Sequence, residues 1–160
     1  MTSKKPAKKS AKKPAAKKPA AKASKPERSQ PESFRARSLS TSLTVKDLQR
    51  SVAWYRDVVG FVVAREFERG GKVLSVRMKA GAVDMLLNQD DGAKGWDRVK
   101  GEGCSLYFTT AQDIDAIANR VRQAGGMLES EPADMPWGVR MFRMKDPDGF
   151  KFVISSERPA

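Results

Sequence analysis

No histidine occurs among the 160 residues. Ser-His-Asp and Cys-His nucleophilic systems are therefore excluded, as is every His-ligated metal site. The single cysteine, Cys104, excludes an internal disulfide. What remains for chemistry is hydroxyl, carboxylate, guanidinium and aromatic side chains, and their spacing is ordered. Ser40, Ser42 and Thr44 fall at every second place, as do Ser105, Tyr107 and Thr109. A period of two puts each trio on one face of a strand, where hydroxyls can donate to or accept from a polar ligand. Asp84 offers a polar anchor, and Arg140 can hold an anionic group. Trp137 lies in a loop, where a ring can stack on a flat ligand. This chemistry is recognition, so a catalytic set is not expected. Cys104 shares the parity of Leu106 and Phe108 and is expected to be a buried, inert thiol.

The elements that must position these groups are legible from apolar spacing. Residues 38–46 alternate and read as a strand. Asp47 suits an N-cap, and Leu48, Val52, Tyr55 and Val59 form the stripe of an amphipathic helix that Gly60 can end. Trp54 on that helix is expected to pack under the sheet. Strands follow at Phe61–Phe67, Val73–Lys79 and Val83–Asn88, with Gly70-Gly71 and Gly81 in the turns. Residues 89–102 are polar and read as a linker. The order then repeats: a strand at Cys104–Thr110, then a helix from Gln112 with Ile114, Ile117, Val121 and Ala124 as its stripe. After them come a short strand at Met127–Glu129 and a proline-containing loop over 131–137. The last segment is a hairpin about Asp146-Pro147-Asp148-Gly149, whose residue types suit a tight corner. Val139 and Met141 before the corner, with Phe150, Phe152 and Ile154 after it, are expected to face the core. The chain is thus read as α+β: two βαβββ modules, 38–88 and 103–156, within a domain spanning 38–157. Each module has one helix, which covers one sheet face, so the hydroxyl parity should line a groove between the halves.

Charge divides the chain. Residues 1–37 hold 13 Lys/Arg against two Glu, a net of +11, while residues 38–160 hold 18 against 17. KKPA occurs at 4–7, 12–15 and 17–20, so proline and charge together predict a disordered basic tail. Evenly spaced lysines suit phosphate backbones, giving sequence-independent nucleic-acid binding through residues 4–25. A purely solubilising tail is the other reading. No apolar run approaches the roughly 20 residues of a membrane span, and no secretory segment opens the chain, so a cytoplasmic setting is expected, with nucleoid association an option that the tail leaves open.

The strand followed by Asp47-Leu48, Ser51 and Tyr55-Arg56-Asp57-Val58-Val59-Gly60-Phe61 resembles the opening signature of the vicinal oxygen chelate superfamily. That group contains glyoxalase I, extradiol dioxygenases and bleomycin-resistance proteins. The Asp146–Gly149 corner resembles its closing signature. VDMLLNQDDG, QDIDAIANRVRQAGG and PWGVRMFRMKDPDGF resemble the bleomycin-resistance-like branch. The resemblance implies paired βαβββ modules whose sheets form a cup for metal and substrate, commonly across a homodimer. It places the four metal-ligand positions at Ser40, Asp84, Ser105 and Val153. Only Asp84 could bind a cation there, and one carboxylate does not hold zinc, iron or manganese.

The expectation is therefore a metal-free, cofactor-free protein that holds a small organic ligand, planar or cationic and drug-like. Its site is expected at Ser40, Ser42, Asp84, Ser105, Tyr107, Trp137, Arg140 and Val153. Two other readings stand beside it. One is a metal-dependent lyase, isomerase or dioxygenase of the same superfamily. The other is a nucleoid-associated protein acting through its tail.

Overall fold

A computed structural model describes residues 38–157. The expected basic tail, with its nucleic-acid segment at 4–25, lies outside the described residues. Strand β1 (Thr41–Val45) leads into helix α1 (Leu48–Trp54). Asp47 caps that helix, its carboxylate accepting the Arg50 N–H at 3.0 Å. Leu48, Val52 and Tyr55 are buried along the expected stripe. The last turn departs from the expectation by widening into a π-turn over Tyr55–Val59. There the N–H groups of Gly60 and Phe61 both donate to the Tyr55 carbonyl, at 3.0 and 2.9 Å. Gly60 closes the turn at φ 94°, a conformation that side chains oppose.

Strands β2 (Val62–Arg69), β3 (Lys72–Ala80) and β4 (Val83–Gln89) complete the first module. The second repeats it as β5 (Ser105–Thr110), α2 (Ile114–Gln123), β6 (Leu128–Asp134), β7 (Arg140–Lys145) and β8 (Lys151–Ser156). The sheets run β1-β4-β3-β2 and β5-β8-β7-β6. In each, the first pair is parallel and the others antiparallel. Both expected βαβββ modules are therefore present.

Helix α1 packs on β3 and β4, and α2 packs on its own sheet and on the π-turn. A single buried cluster draws side chains from both modules. At its centre Tyr55 and Trp54 meet Phe152 with ring centroids 5.7 and 6.5 Å apart. Phe61 meets Phe108 at 5.8 Å, and Phe108 stacks on Phe152 at 5.5 Å. Trp54 thus packs as expected. The helix-facing sides of the two sheets share this core, which leaves the opposite faces to carry the polar parity.

Four local expectations are corrected. In the hairpin, the core face before the corner is Phe142 and Met144, which sit across from Ile154 and Phe152. Val139 and Met141 are buried too, but on the opposite parity with Val153 and Ser155. Strand β6 runs on through Pro132 to Asp134, where a loop was expected. It is an edge strand with a register shift between Ser130 and Ala133, the setting in which a sheet tolerates proline. Cys104 is exposed, because it ends a turn before β5 begins. Leu39 precedes β1 and is 92% exposed.

The Asp146–Gly149 corner is more than a hairpin cap. Asp146 accepts the N–H groups of Asp148 and Phe150, as its residue type predicts. Its other oxygen takes the Tyr55 hydroxyl at 2.7 Å. Asp148 accepts the Lys46 N–H at 2.7 Å and the Ser51 hydroxyl at 3.2 Å. The corner of the second module is thereby bonded to helix α1 of the first. The linker is tied into the same place. Asp90, 4% exposed, accepts from Lys100 at 2.7 Å and Arg98 at 2.9 Å, and Lys100 lies 3.6 Å from Asp148. Hydrogen bonds from Lys100 and Arg98 hold the Asp90 carboxyl far below the usual carboxylate range.

Candidate functional site

A cavity of about 390 Å³ lies on the open face of the second sheet, lined by Ser105, Tyr107, Glu129, Arg143, Lys151, Phe152 and Val153. The register explains the grouping. Ser105 pairs with Lys151 and Tyr107 with Val153 across β5 and β8, and Arg143 faces Val153 across β7 and β8. Three expected residues, Ser105, Tyr107 and Val153, are thus brought together. Tyr107 is 65% exposed, with its ring free to meet a ligand. Val153 is buried, so only an apolar floor is offered there.

Arg143, Lys151 and Glu129 were missed by sequence reasoning. The signal for Arg143 was its place between Phe142 and Met144, but the misassigned hairpin parity hid it. Glu129 is paired with Lys145. Arg143 and Lys151 have no ion-pair partner among the described residues.

The first sheet carries the other expected residues. Ser42 is exposed and accepts from the Asn88 amide at 2.8 Å, while Asn88 in turn accepts the Ser75 hydroxyl at 2.7 Å. Asp84 is half-buried on β4, across from Lys79. Ser40 is exposed just before β1. A second cavity, about 300 Å³, opens beside this sheet and is lined by Thr44, Asn88, Gln89, Asp90 and residues of the linker. Neither cavity draws on both sheets. Shared burial of the helix-facing sides explains this: within one chain the two open faces look away from the common core.

Arg140 and Trp137 stand apart. The Arg140 guanidinium donates to both oxygens of Asp115 at 2.6 and 2.8 Å and to Asp134 at 3.1 Å. These bonds raise the Arg140 pKa and lower that of Asp115, each stabilising the charged form. Arg140 is therefore engaged as a clamp between β7, α2 and β6, with three of its five N–H donors bonded to carboxylates. Trp137 is 52% exposed in a turn closed by the Gly138 N–H on the Met135 carbonyl, and it does not line either cavity.

A sequence profile described as Glyoxalase/Bleomycin resistance protein/Dioxygenase superfamily matches residues 37–154. The chain belongs to that superfamily. Among superfamily relatives, a lactoylglutathione lyase of Escherichia coli O157:H7 is 28% identical over 128 residues, covering 78% of this chain and 95% of that protein. A lactoylglutathione lyase of Arabidopsis thaliana is 26% identical and is matched over 45% of its length. Among solved structures, TioX from Micromonospora sp. ML1 superposes with a TM-score of 0.62 at 20% identity, covering 74% of this chain and 96% of that one. A superfamily protein from Nocardioides superposes at 0.61 with 19% identity, over 81% of this chain and 89% of that one.

The superfamily's resident metal can be tested against the side chains at the four positions that the resemblance assigns to it. Ser40, Ser105 and Val153 offer two neutral hydroxyls and a hydrocarbon, leaving Asp84 as the sole carboxylate. Among the described residues no three His, Cys, Asp or Glu side chains converge. Combining one chain's first sheet with another's second leaves the same four side chains. This donor set does not fit a divalent transition metal.

Proposed function

We propose that this superfamily member is a metal-free binding protein for a small organic molecule, and that two copies of the chain complete its cup. The observation that carries the reading is the 390 Å³ cavity on the open face of the second sheet. Ser105 and Val153, two of the four positions that the resemblance assigns to metal ligands, line it beside the Tyr107 ring. A volume of a few hundred Å³ suits a small organic ligand. One open face supplies only one wall, so the first sheet of a second copy is the natural opposite wall.

Thermal-shift screening of the full chain against a broad panel, bleomycin-type glycopeptides included, tests the binding. A ligand at a hundred times its Kd raises stability by about 2.7 kcal/mol through mass action, which is visible as a rise in Tm. A panel with no shift removes the proposal. Light scattering tests the assembly, and a strict monomer that still binds ligand removes the second copy.

The names of the E. coli and Arabidopsis relatives favour a second reading, a lyase. Elemental analysis separates the two. Stoichiometric metal, with activity lost on chelation, would replace the binding protein with an enzyme.

A further inference from the structure

The open face of the first sheet contains an arrangement that a merely solvated surface does not require. Arg65 on β2 sits directly across from Arg77 on β3. Like charges at paired positions disfavour a sheet. Both guanidiniums lie over the same ring, with their carbons 5.0 and 5.8 Å from the Phe67 centroid. Covering a half-buried phenyl ring needs one cation at most. Both arginines are exposed, and neither has an acidic partner within ion-pair reach among the described residues.

The imbalance recurs on the other open face. There Arg143 and Lys151 are free while Glu129 is taken by Lys145. Yet residues 38–157 hold 17 Lys/Arg and 17 Asp/Glu. The basic excess is local: Arg65, Arg77, Arg143 and Lys151 stand without an ion-pair partner among the described residues, while Asp84 lies across from Lys79 and Glu129 is paired with Lys145.

We propose that the ligand is an organic anion, and that Arg65 and Arg77 beside Phe67 form the clamp for its carboxylate or phosphate. Paired guanidinium forks match the planar oxygens of a carboxylate and the tripod of a phosphate, and their mutual repulsion is relieved when the anion arrives. Arg143 and Lys151 beside Tyr107 supply the matching wall for a second acidic group. This rests on the cup reading and adds to it the sign of the ligand's charge, which is opposite to the cationic one of the two ligand types, planar or cationic, expected from the sequence.

The test uses the full chain, with calorimetric titration of inorganic phosphate, benzoate and phthalate, and of neutral benzamide and cationic benzylamine. Phthalate and phosphate are expected to bind, more weakly as salt rises, and the neutral and cationic probes are not. Arg65→Gln/Arg77→Gln leaves residues 1–37 unchanged and is expected to weaken anion binding roughly tenfold to a hundredfold, the loss typical of hydrogen bonds to charged groups. Its ligand-free Tm stays close to that of the parent, because both side chains are exposed. Anion binding that survives the double substitution unchanged overturns the clamp and leaves the effect with the basic tail or with Arg143 and Lys151. Binding of benzylamine or benzamide in place of the anions overturns the charge assignment and leaves the cup standing. A duplex DNA oligonucleotide that loses affinity in the variant, with no small anion bound, overturns the clamp in favour of a nucleic-acid surface. If no probe binds, the anion clamp is wrong, and the cup falls with it only if the broad panel is also silent.

Discussion

The Tyr55 hydroxyl donates to the Asp146 carboxylate at 2.7 Å, joining the π-turn of the first module to the hairpin corner of the second. Tyr55 is fully buried and Asp146 is 6% exposed. Burial, then the Asp146 charge, push the phenol far above its ordinary range, so it remains a donor at every physiological pH. Tyr55→Phe removes the donor and strands a carboxylate oxygen away from water. The expected cost is about 1–3 kcal/mol. Urea unfolding checks it: an unchanged midpoint would mean that the bond contributes nothing.

Two buried acids give stability opposite pH dependences. Burial raises the Asp146 pKa despite three hydrogen bonds. A folded pKa above the unfolded value means that stability falls as pH rises from about 4 through the folded pKa. Asp90 is depressed by Lys100 and Arg98, so its contribution is complete above the ordinary carboxylate range and is lost in acid. Urea midpoints from about pH 3 to about pH 8 should show the two variants diverging. The deficit of Asp90→Asn shrinks toward acid, and that of Asp146→Asn shrinks toward neutral pH. Parallel curves would contradict both assignments.

Gly126 is placed by contact. A methyl group there would lie 2.6 Å from Val121 and 2.6 Å from Val58, one in each module. Gly126→Ala must push the π-turn and α2 apart, and overpacking of this kind costs about 1–3 kcal/mol. Thermal melting measures it, and a neutral result would show that the two modules slide freely.

Tyr107 and Arg140 should separate cleanly. Tyr107→Ala removes an exposed ring from the cavity wall. It is expected to weaken ligand roughly twofold to tenfold, the range for an aromatic contact, with Tm held. Arg140→Gln breaks the clamp to Asp115 and Asp134. It is expected to lower Tm by at most a few degrees and leave affinity unchanged. The opposite result, affinity lost at Arg140 and kept at Tyr107, would move the site to the α2 edge.

Much of this architecture is visible in apolar spacing. Asp47, Leu48, Val52, Tyr55 and Gly60 announce helix α1 because capping and burial act locally. The two hydroxyl trios show which parity of β1 and β5 is polar for the same reason. The hairpin parity was not legible, since Met141-Phe142 is an apolar doublet that fits either pleat. Only the pairing of Phe142 with Ile154 and of Met144 with Phe152 decides it. That one ambiguity concealed Arg143 and so half of the cavity's positive charge. Nor does a polar linker disclose that Asp90 and Lys100 are buried, because each is affordable there only in the presence of the other. Arg65 against Arg77 is equally silent, for strand register sets it and local preference does not.

The aromatic cluster of Trp54, Tyr55, Phe61, Phe108 and Phe152 has a consequence for inheritance. Each repeat supplies rings that pack against rings of the other, Trp54 and Tyr55 on Phe152 and Phe61 on Phe108. A gene encoding either repeat alone would yield a product with a bare aromatic flank, prone to clumping. The two halves, alike in topology, are mutually dependent, and drift in one constrains what the other can become.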